Sequence, residues 1–305
     1  MNPVLLITQT ALELGFQYAL VAMALFLSYR ILDIADLTTD GCFVLGAAVS
    51  VTLAAAGHPI LAIPAAMAAG AGAGFVTAFL QTRMGVPSIL AGIVTNTGLY
   101  TVNLMAMGWK SNASLLRSDT IFTMLRETGF GGDWHELILS AGITILAGIL
   151  LYLFLGTRLG LSIRATGDNR DMVRASSVNP TFTISVGLCA ANALTALSGA
   201  VVGQYQKTVD INSGTGIVVI GLACLIIGET VLGRKSVGKG VIAVMVGSII
   251  YRFLYAFVFY TKIVPIECLK LLTAVVVALA IAAPALKDSA AFQKRKLSAG
   301  RKEGR

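Results

Sequence analysis

Charged residues are scarce in this sequence: Asp, Glu, Lys and Arg make up 12% of its 305 residues, whereas 56% are hydrophobic. A soluble domain carries about twice that charged fraction, so the composition excludes a soluble protein and predicts an integral membrane protein. The formal net charge of +8 does not indicate a nucleic-acid partner. In a membrane chain, basic residues mostly set the topology.

Cysteine and histidine are also rare, and neither shows a metal-binding or catalytic spacing. The two histidines, His58 and His135, belong to no HExxH motif. The four cysteines stand singly in or beside apolar runs: Cys42, Cys189, Cys224 and Cys268. We therefore predict no metal site, no disulfide and no catalytic residue.

Long apolar runs make up most of the chain. A membrane helix needs about 20 apolar residues, and cutting the sequence at its polar breaks gives nine such runs. They are continuous and longer than the roughly ten residues of a membrane strand, so they predict helices and not a barrel. The fold class is then an all-α, polytopic transmembrane bundle over residues 1–286, in which the short second run is tilted or half-inserted. The predicted spans are 8–29, 41–56, 59–80, 85–107, 137–156, 181–204, 215–232, 239–259 and 265–286.

Basic residues predict the orientation of these spans. The tail 287–305 contains seven: Lys287, Lys294, Arg295, Lys296, Arg301, Lys302 and Arg305. This concentration places the C-terminus in the cytoplasm, together with the arginine-rich segment 157–180. An odd number of spans then places the N-terminus outside.

Three ionisable residues lie in or near predicted spans, and such residues are functional by default. They keep an intramembrane enzyme open as an alternative. Each also has a structural interpretation. Asp40 could cap the helix that starts at Gly41, Glu229 could lie near the cytoplasmic end of its span, and Arg252 could snorkel or pair outward.

Small and polar residues within the spans suggest further roles. Gly70 and Gly74 have the small-xxx-small spacing that predicts close helix contact. Seven polar residues precede the second span or lie along the fourth, and they are candidates to line a translocation path. In lipid, such side chains more commonly link helices. They are Thr38, Thr39, Asp40, Thr95, Asn96, Thr97 and Asn103.

A nucleotide-binding motif is nearly matched but is not predicted to function. The stretch GRKSVGKG from Gly233 fits GxxxxGK, yet Gly240 replaces the Ser or Thr that holds magnesium. Apolar spans flank it, whereas the motif requires a strand and an α/β domain. We expect no cofactor in this chain.

The segment 157–180 resembles the coupling loop of inner-membrane ABC importer permeases of the branched-chain amino acid and sugar type. The family pattern RAxGxN, followed by Ala, is matched by Arg164, Ala165, Gly167, Asn169 and Ala175. Ser177 stands where the family usually has Gly. The stretches DIADLTTDGCFVLGAAVS and IGLACLIIGETVLGRKSVGKGVIAVMVGSII are similar to two further parts of these permeases.

The resemblance implies a type II ABC importer permease in a bacterial inner membrane. It implies three partners besides lipid: a cytoplasmic ATPase dimer that binds ATP and Mg, an extracytoplasmic solute-binding protein, and a second permease, either an identical copy or a paralogue. The chain itself would not be an enzyme. The ATPase would contact Arg164, Gly167, Asp168, Asn169, Arg170, Arg174 and Ala175.

The solute that the resemblance implies is a small molecule, most closely an amino acid, with aromatic amino acids among the proposals. A sugar or a nucleoside is the alternative within the family. A secondary transporter or channel without an ATPase, and a purely structural membrane subunit, are alternatives from other classes. Segment 157–180 would then be a solvated connector that sets topology.

Overall fold

The computed structural model describes residues 3–261, apart from 117, 130, 234 and 235, together with 274, 275, 278 and 282. Most of the described chain is helical. Its elements are α1 (Pro3–Leu25, continued by a π-helix over Phe26–Ile31), α2 (Thr39–Ala55), α3 (Pro59–Thr82), α4 (Ser88–Ala106), β1 (Asn112–Ser114), α5 (Ile121–Glu127), a 3-10 turn (Gly132–Trp134), α6 (His135–Gly156), α7 (Arg158–Asp168), α8 (Arg170–Ala175), α9 (Pro180–Gln206), β2 (Thr208–Asp210), α10 (Ile217–Leu232) and α11 (Val237–Thr261).

Eight apolar helical segments correspond to the first eight predicted spans, so the predicted membrane helix bundle is confirmed. Two of the eight, α2 and α10, are shorter than a full crossing. The ninth predicted span, 265–286, lies outside the described residues except at 274, 275, 278 and 282. The whole tail 287–305 also lies outside them. Within the described residues, six segments are long and apolar enough to cross a membrane: Leu5–Ile31, Pro59–Thr82, Ser88–Ala106, His135–Gly156, Pro180–Gln206 and Val237–Val258.

Helix α9 is the centre of the bundle and packs most extensively against α3 and α2. The glycines of α3 make this approach possible. A Cβ on Gly70 would lie 2.5 Å from the carbonyl oxygen of Asn192, and one on Gly74 would lie 2.5 Å from that of Leu188. The prediction that these two glycines serve close helix contact is confirmed.

The short helices α2 and α10 both begin inside the bundle. Between α1 and α2 the chain runs without regular structure, and there Ile34 and Asp36 are buried. Asp36 bonds to Asn192, which lies near the middle of α9. Helix α10 follows the turn 211–216, where Gly214 packs against the backbone of Asp40. Non-helical backbone at membrane depth is tolerated only where protein buries it or water solvates it.

Two short strands tie the connection between α4 and α6 to the end of α9. Strands β1 and β2 pair antiparallel, with Asn112 opposite Asp210. Nearby, the amide of Gln204 donates to the Ser50 hydroxyl at 2.9 Å and to the Pro59 carbonyl at 3.0 Å. Its oxygen accepts from the backbone N–H of Ile121 at 2.9 Å. One buried side chain therefore joins α2, α3, α5 and α9.

Gly70 provides a test of the packing between α3 and α9. We expect Gly70→Val to lower the free energy of unfolding by about 1 to 3 kcal/mol, because the added methyl groups overpack the α3–α9 contact. Gly72→Val is the matched control on the same helix, since a Cβ there meets nothing within 4 Å. Thermal melting in detergent measures both. Equal melting temperatures for the two variants would contradict the assigned contact.

Candidate functional site

A polar cavity of about 340 Å³ lies between the start of α2, the second half of α4 and the turn before α10. It brings together four of the seven predicted path residues: Asp40, Asn96, Thr97 and Asn103. Tyr100, Asn212 and Thr215 complete its polar lining. Asn103 is buried, and its Nδ2 donates to the carbonyl of Gly41 at 3.1 Å. The lining therefore offers mainly hydroxyl and amide groups, with one carboxylate.

The other three predicted path residues are buried and do not line this cavity. The Thr38 and Thr77 hydroxyl oxygens lie 2.8 Å apart and connect the start of α2 to α3. The Thr39 hydroxyl donates to the Asp36 carbonyl at 3.1 Å. The Thr95 hydroxyl donates to the Ala91 carbonyl of its own helix at 2.9 Å. Their hydrogen bonds are local or link helices.

Asp40 caps a different helix from the one expected from the sequence. Helix α2 begins at Thr39 and not at Gly41, which places Asp40 in its first turn. The Asp40 carboxylate accepts from the backbone N–H groups of Gly216 at 3.0 Å and Val218 at 2.9 Å. It therefore satisfies the first N–H groups of α10. Gly216 has a φ of +87°, a conformation that glycine adopts without strain.

Asp36 and Asn192 form a buried polar pair that the sequence analysis missed. The Asp36 carboxylate accepts from the Asn192 amide at 2.6 Å and from the Thr38 backbone N–H at 2.9 Å. Only 4% of Asp36 and 1% of Asn192 is exposed, so the pair lies in the core. The asparagine among the apolar residues in the middle of α9 was the feature that could have revealed it, because polar groups within spans need partners.

Glu229 and Arg252 are the other two ionisable residues in the predicted spans, and Arg252 does not lie where its structural interpretation placed it. Glu229 lies near the C-terminal end of α10, the end that the predicted orientation places in the cytoplasm, and forms a 3.0 Å salt bridge with Arg30. Arg252 does not snorkel outward. It is 9% exposed, and its guanidinium carbon lies 3.6 Å from the centre of the Tyr18 ring. A cation–π contact in the bundle interior therefore replaces the expected outward position.

Segment 157–180 is two short helices with capped ends. The Thr157 hydroxyl accepts from Gly160 N–H, and the Asn169 side chain accepts from the N–H groups of Asp171 and Met172. Asn179 caps α9 in the same way. Side-chain caps of this kind each stabilise a helix by about 1 kcal/mol. The polar segment is thus ordered along its length.

The same segment is anchored to the end of α1. Gly167 packs so closely against the Ile31 carbonyl that a Cβ would overlap it. The hydroxyl oxygens of Thr166 and Thr183 lie 2.8 Å apart and join α7 to α9. The side chains of Ile163 and Val173 are buried. Among the residues predicted to contact the ATPase, all but Gly167 are exposed: Arg164, Asp168, Asn169, Arg170, Arg174 and Ala175.

Ser177, the departure from the family pattern, occupies a position with a glycine-like backbone. Its φ is +60°, in the left-handed region. This conformation explains why a glycine is usual there, since only glycine adopts it without steric cost. The turn into α9 is kept despite the serine.

Comparisons with known proteins identify the family. Residues 7–283 match the family model described as the permease component of branched-chain amino acid transport systems. The chain belongs to this family. The permease is 33% identical over 260 residues to the tyrosine transport system permease protein of Clostridioides difficile, with 85% of each chain covered. It is 27% identical over 204 residues to the ribose import permease of Escherichia coli, covering 65% of this chain and 60% of that one.

A solved structure supports the fold. The permease aligns with an inward-facing metal-chelate type ABC transporter at a TM-score of 0.50 and 16% identity, covering 92% of this chain and 85% of that one. The family match and the two permease relatives confirm the prediction of an ABC importer permease of the branched-chain amino acid and sugar type. The protein is a multi-pass inner-membrane permease, and its family is one of transport subunits and not of catalytic subunits.

Asp36 offers a test of the buried pair. In Asp36→Asn, an NH2 group replaces one acceptor oxygen, so either Asn192 or the Thr38 N–H loses its partner. We expect the free energy of unfolding to fall by about 1 to 3 kcal/mol. Asp33→Asn is the control, because Asp33 is exposed and asparagine tolerates its φ of +54°. If thermal melting shows no difference between the two variants, the pair does not stabilise the bundle.

Proposed function

We propose that this permease forms the path through which an ATP-driven importer moves an amino acid, aromatic amino acids included, across the inner membrane. The observation that carries the proposal is the capped segment 157–180, which presents exposed arginines on a scaffold packed against α1. A partner that moves an ordered segment also displaces the helices packed against that segment, whereas a flexible connector would move without displacing them.

The chemistry of the exposed face suits docking on an ATPase. Arg164, Arg170 and Arg174 are exposed on the two short helices. Arginine forms geometrically specific, bidentate contacts with carboxylates, so it favours a defined docking pose. Met172 is 55% exposed between them and adds an apolar contact. The surface thus combines charge with an apolar anchor, as protein interfaces commonly do.

A continuous set of contacts leads from this surface to the polar cavity. Gly167 packs on Ile31, in the π-helix that ends α1. In the same π-helix, Arg30 pairs with Glu229 at the end of α10. The opposite end of α10 is held by Asp40, which lines the cavity. π-Helical turns are frequent at functional sites. Here one contacts both Gly167, through Ile31, and Glu229, through Arg30.

The proposed assembly contains the partners that the resemblance implies. An ATPase dimer would bind ATP and Mg on the cytoplasmic side, beside segment 157–180. A solute-binding protein would deliver the solute outside, where we place the N-terminus. A second permease, most simply an identical copy, would complete the path, because one chain has one coupling segment.

A sugar is the second candidate solute. It is supported by the likeness to the ribose import permease and by a cavity lined with hydroxyl and amide groups. The tyrosine transport relative is more similar and covers more of the chain. We therefore favour an amino acid over a sugar or a nucleoside.

Capture of the ATPase tests the proposal. The detergent-solubilised permease should retain an ATPase from the membranes of its own source, and Arg164→Glu/Arg170→Glu should lose it through charge reversal at the docking face. Arg126→Glu is the control, because Arg126 is exposed on α5, far along the chain from the segment. Capture by wild type and control alone supports the importer. Failure of the folded wild type to capture an ATPase favours a stand-alone transporter.

A further inference from the structure

A second cavity lies on the other side of the turn 211–216. Its volume is about 450 Å³, and it is bounded by α1, the start of α10 and α11. Three tyrosines, one arginine and two hydroxyl residues line it: Tyr18, Ser213, Thr215, Tyr251, Arg252 and Tyr255. Thr215 lines both this cavity and the polar one, so only the turn separates them.

Arg252 is the unusual member of this group. Only 9% of it is exposed, and its Nε makes no hydrogen bond to any residue that the structure describes. Within the described part of the chain, no carboxylate forms a salt bridge with it. It lies past the middle of α11, an apolar helix long enough to cross the membrane. A cation at such depth is costly, and arginines there normally pair with a carboxylate or mark a substrate pathway.

Among the described residues, two tyrosine rings contact Arg252 and stabilise its charge. Its guanidinium carbon lies 3.6 Å from the ring centre of Tyr18 and 6.0 Å from that of Tyr255. A cation–π contact uses the face of the guanidinium and leaves its N–H edge free for hydrogen bonds. The edge that carries Nε can hold a carboxylate with two parallel hydrogen bonds.

We propose that this cavity binds the carboxylate end of the solute through Arg252, with the tyrosine rings taking an apolar or aromatic side chain. The inference rests on the proposed function and narrows its solute to carboxylate-bearing molecules, which excludes neutral sugars. The cavity volume suits a small ligand. Aromatic rings contact such side chains by edge-to-face or offset stacking. The turn 211–216 alone would separate a solute bound there from the polar cavity.

Ligand-induced thermal shifts of the full-length permease in nanodiscs test this site without an ATPase. Four probes are added at equal concentration: L-phenylalanine, 3-phenylpropanoate, which lacks the ammonium, phenethylamine, which lacks the carboxylate, and D-ribose. We expect the first two to raise the melting temperature of the wild type and the last two to leave it unchanged.

Three variants complete the experiment. Arg252→Gln should weaken the binding of both carboxylates by about 10- to 100-fold, because it removes hydrogen bonds between two charged groups. Arg252→Lys keeps the charge and should retain part of the binding, which separates ligand recognition from loss of the Tyr18 contact. Arg126→Gln, on exposed α5, should bind like the wild type.

Several results would overturn the proposal. They are a shift by phenethylamine or D-ribose equal to that of L-phenylalanine, unchanged carboxylate binding in Arg252→Gln, or no shift with either carboxylate in the wild type. If Arg252→Gln does not fold, the wild-type probe series and Arg252→Lys still decide. Because no ATPase is present, failure here leaves ATPase capture, and with it the importer proposal, unaffected.

Discussion

The hydrogen bonds of the Asp40 carboxylate to the start of α10 hold together the two interrupted crossings of this bundle. The first N–H groups of any helix lack partners within the helix, and inside a membrane protein water does not always supply them. Asp40 provides acceptors for two such groups from the first turn of α2. The turn 211–216 is fixed as a result, and the two cavities lie on its opposite sides.

Because α2 and α10 are short helices that begin inside the bundle, the permease has polar backbone and side-chain groups inside an otherwise apolar bundle. If both helices crossed without a break, their backbone groups would bond internally and the interior would be packed by side chains alone. Here the chain before α2 carries Asp36 into the core, where Asn192 binds it. The route from segment 157–180 through Arg30, Glu229 and α10 ends at Asp40, in the first turn of α2. Coupling surface and cavities are therefore parts of one connected structure.

Much of this architecture could be predicted from the sequence, because membrane helices follow from long apolar runs and short loops. The eight described spans are of this kind, whereas segment 157–180 was singled out by its arginines. The family resemblance further indicated which residues of that segment to examine. Four of the candidate path residues also share a cavity, since the start of α2 and the second half of α4 are neighbours.

The remaining features depend on contacts between distant parts of the chain. Asp40 looked like a local cap, but its partners are 176 and 178 residues away. Asp36 was not singled out from the sequence, because no local pattern shows that a short polar gap enters the core. The three-residue strands are too short for a periodic pattern. An outward position was one of two interpretations of Arg252, and only the packing of Tyr18 against it shows that this one is wrong.

The central claim is that the cavity beside Asp40 is a water-accessible space within the membrane, and thiol labelling tests it most directly. In a background without the native cysteines, Thr97→Cys is compared with Val102→Cys, an exposed position of α4 outside the cavity lining, and with the fully buried Ala91→Cys. A water-soluble thiol reagent should modify the Thr97→Cys permease fastest in intact membranes, because thiolates form only where water reaches. Reaction no faster than at the other two positions would contradict a hydrated path at this site.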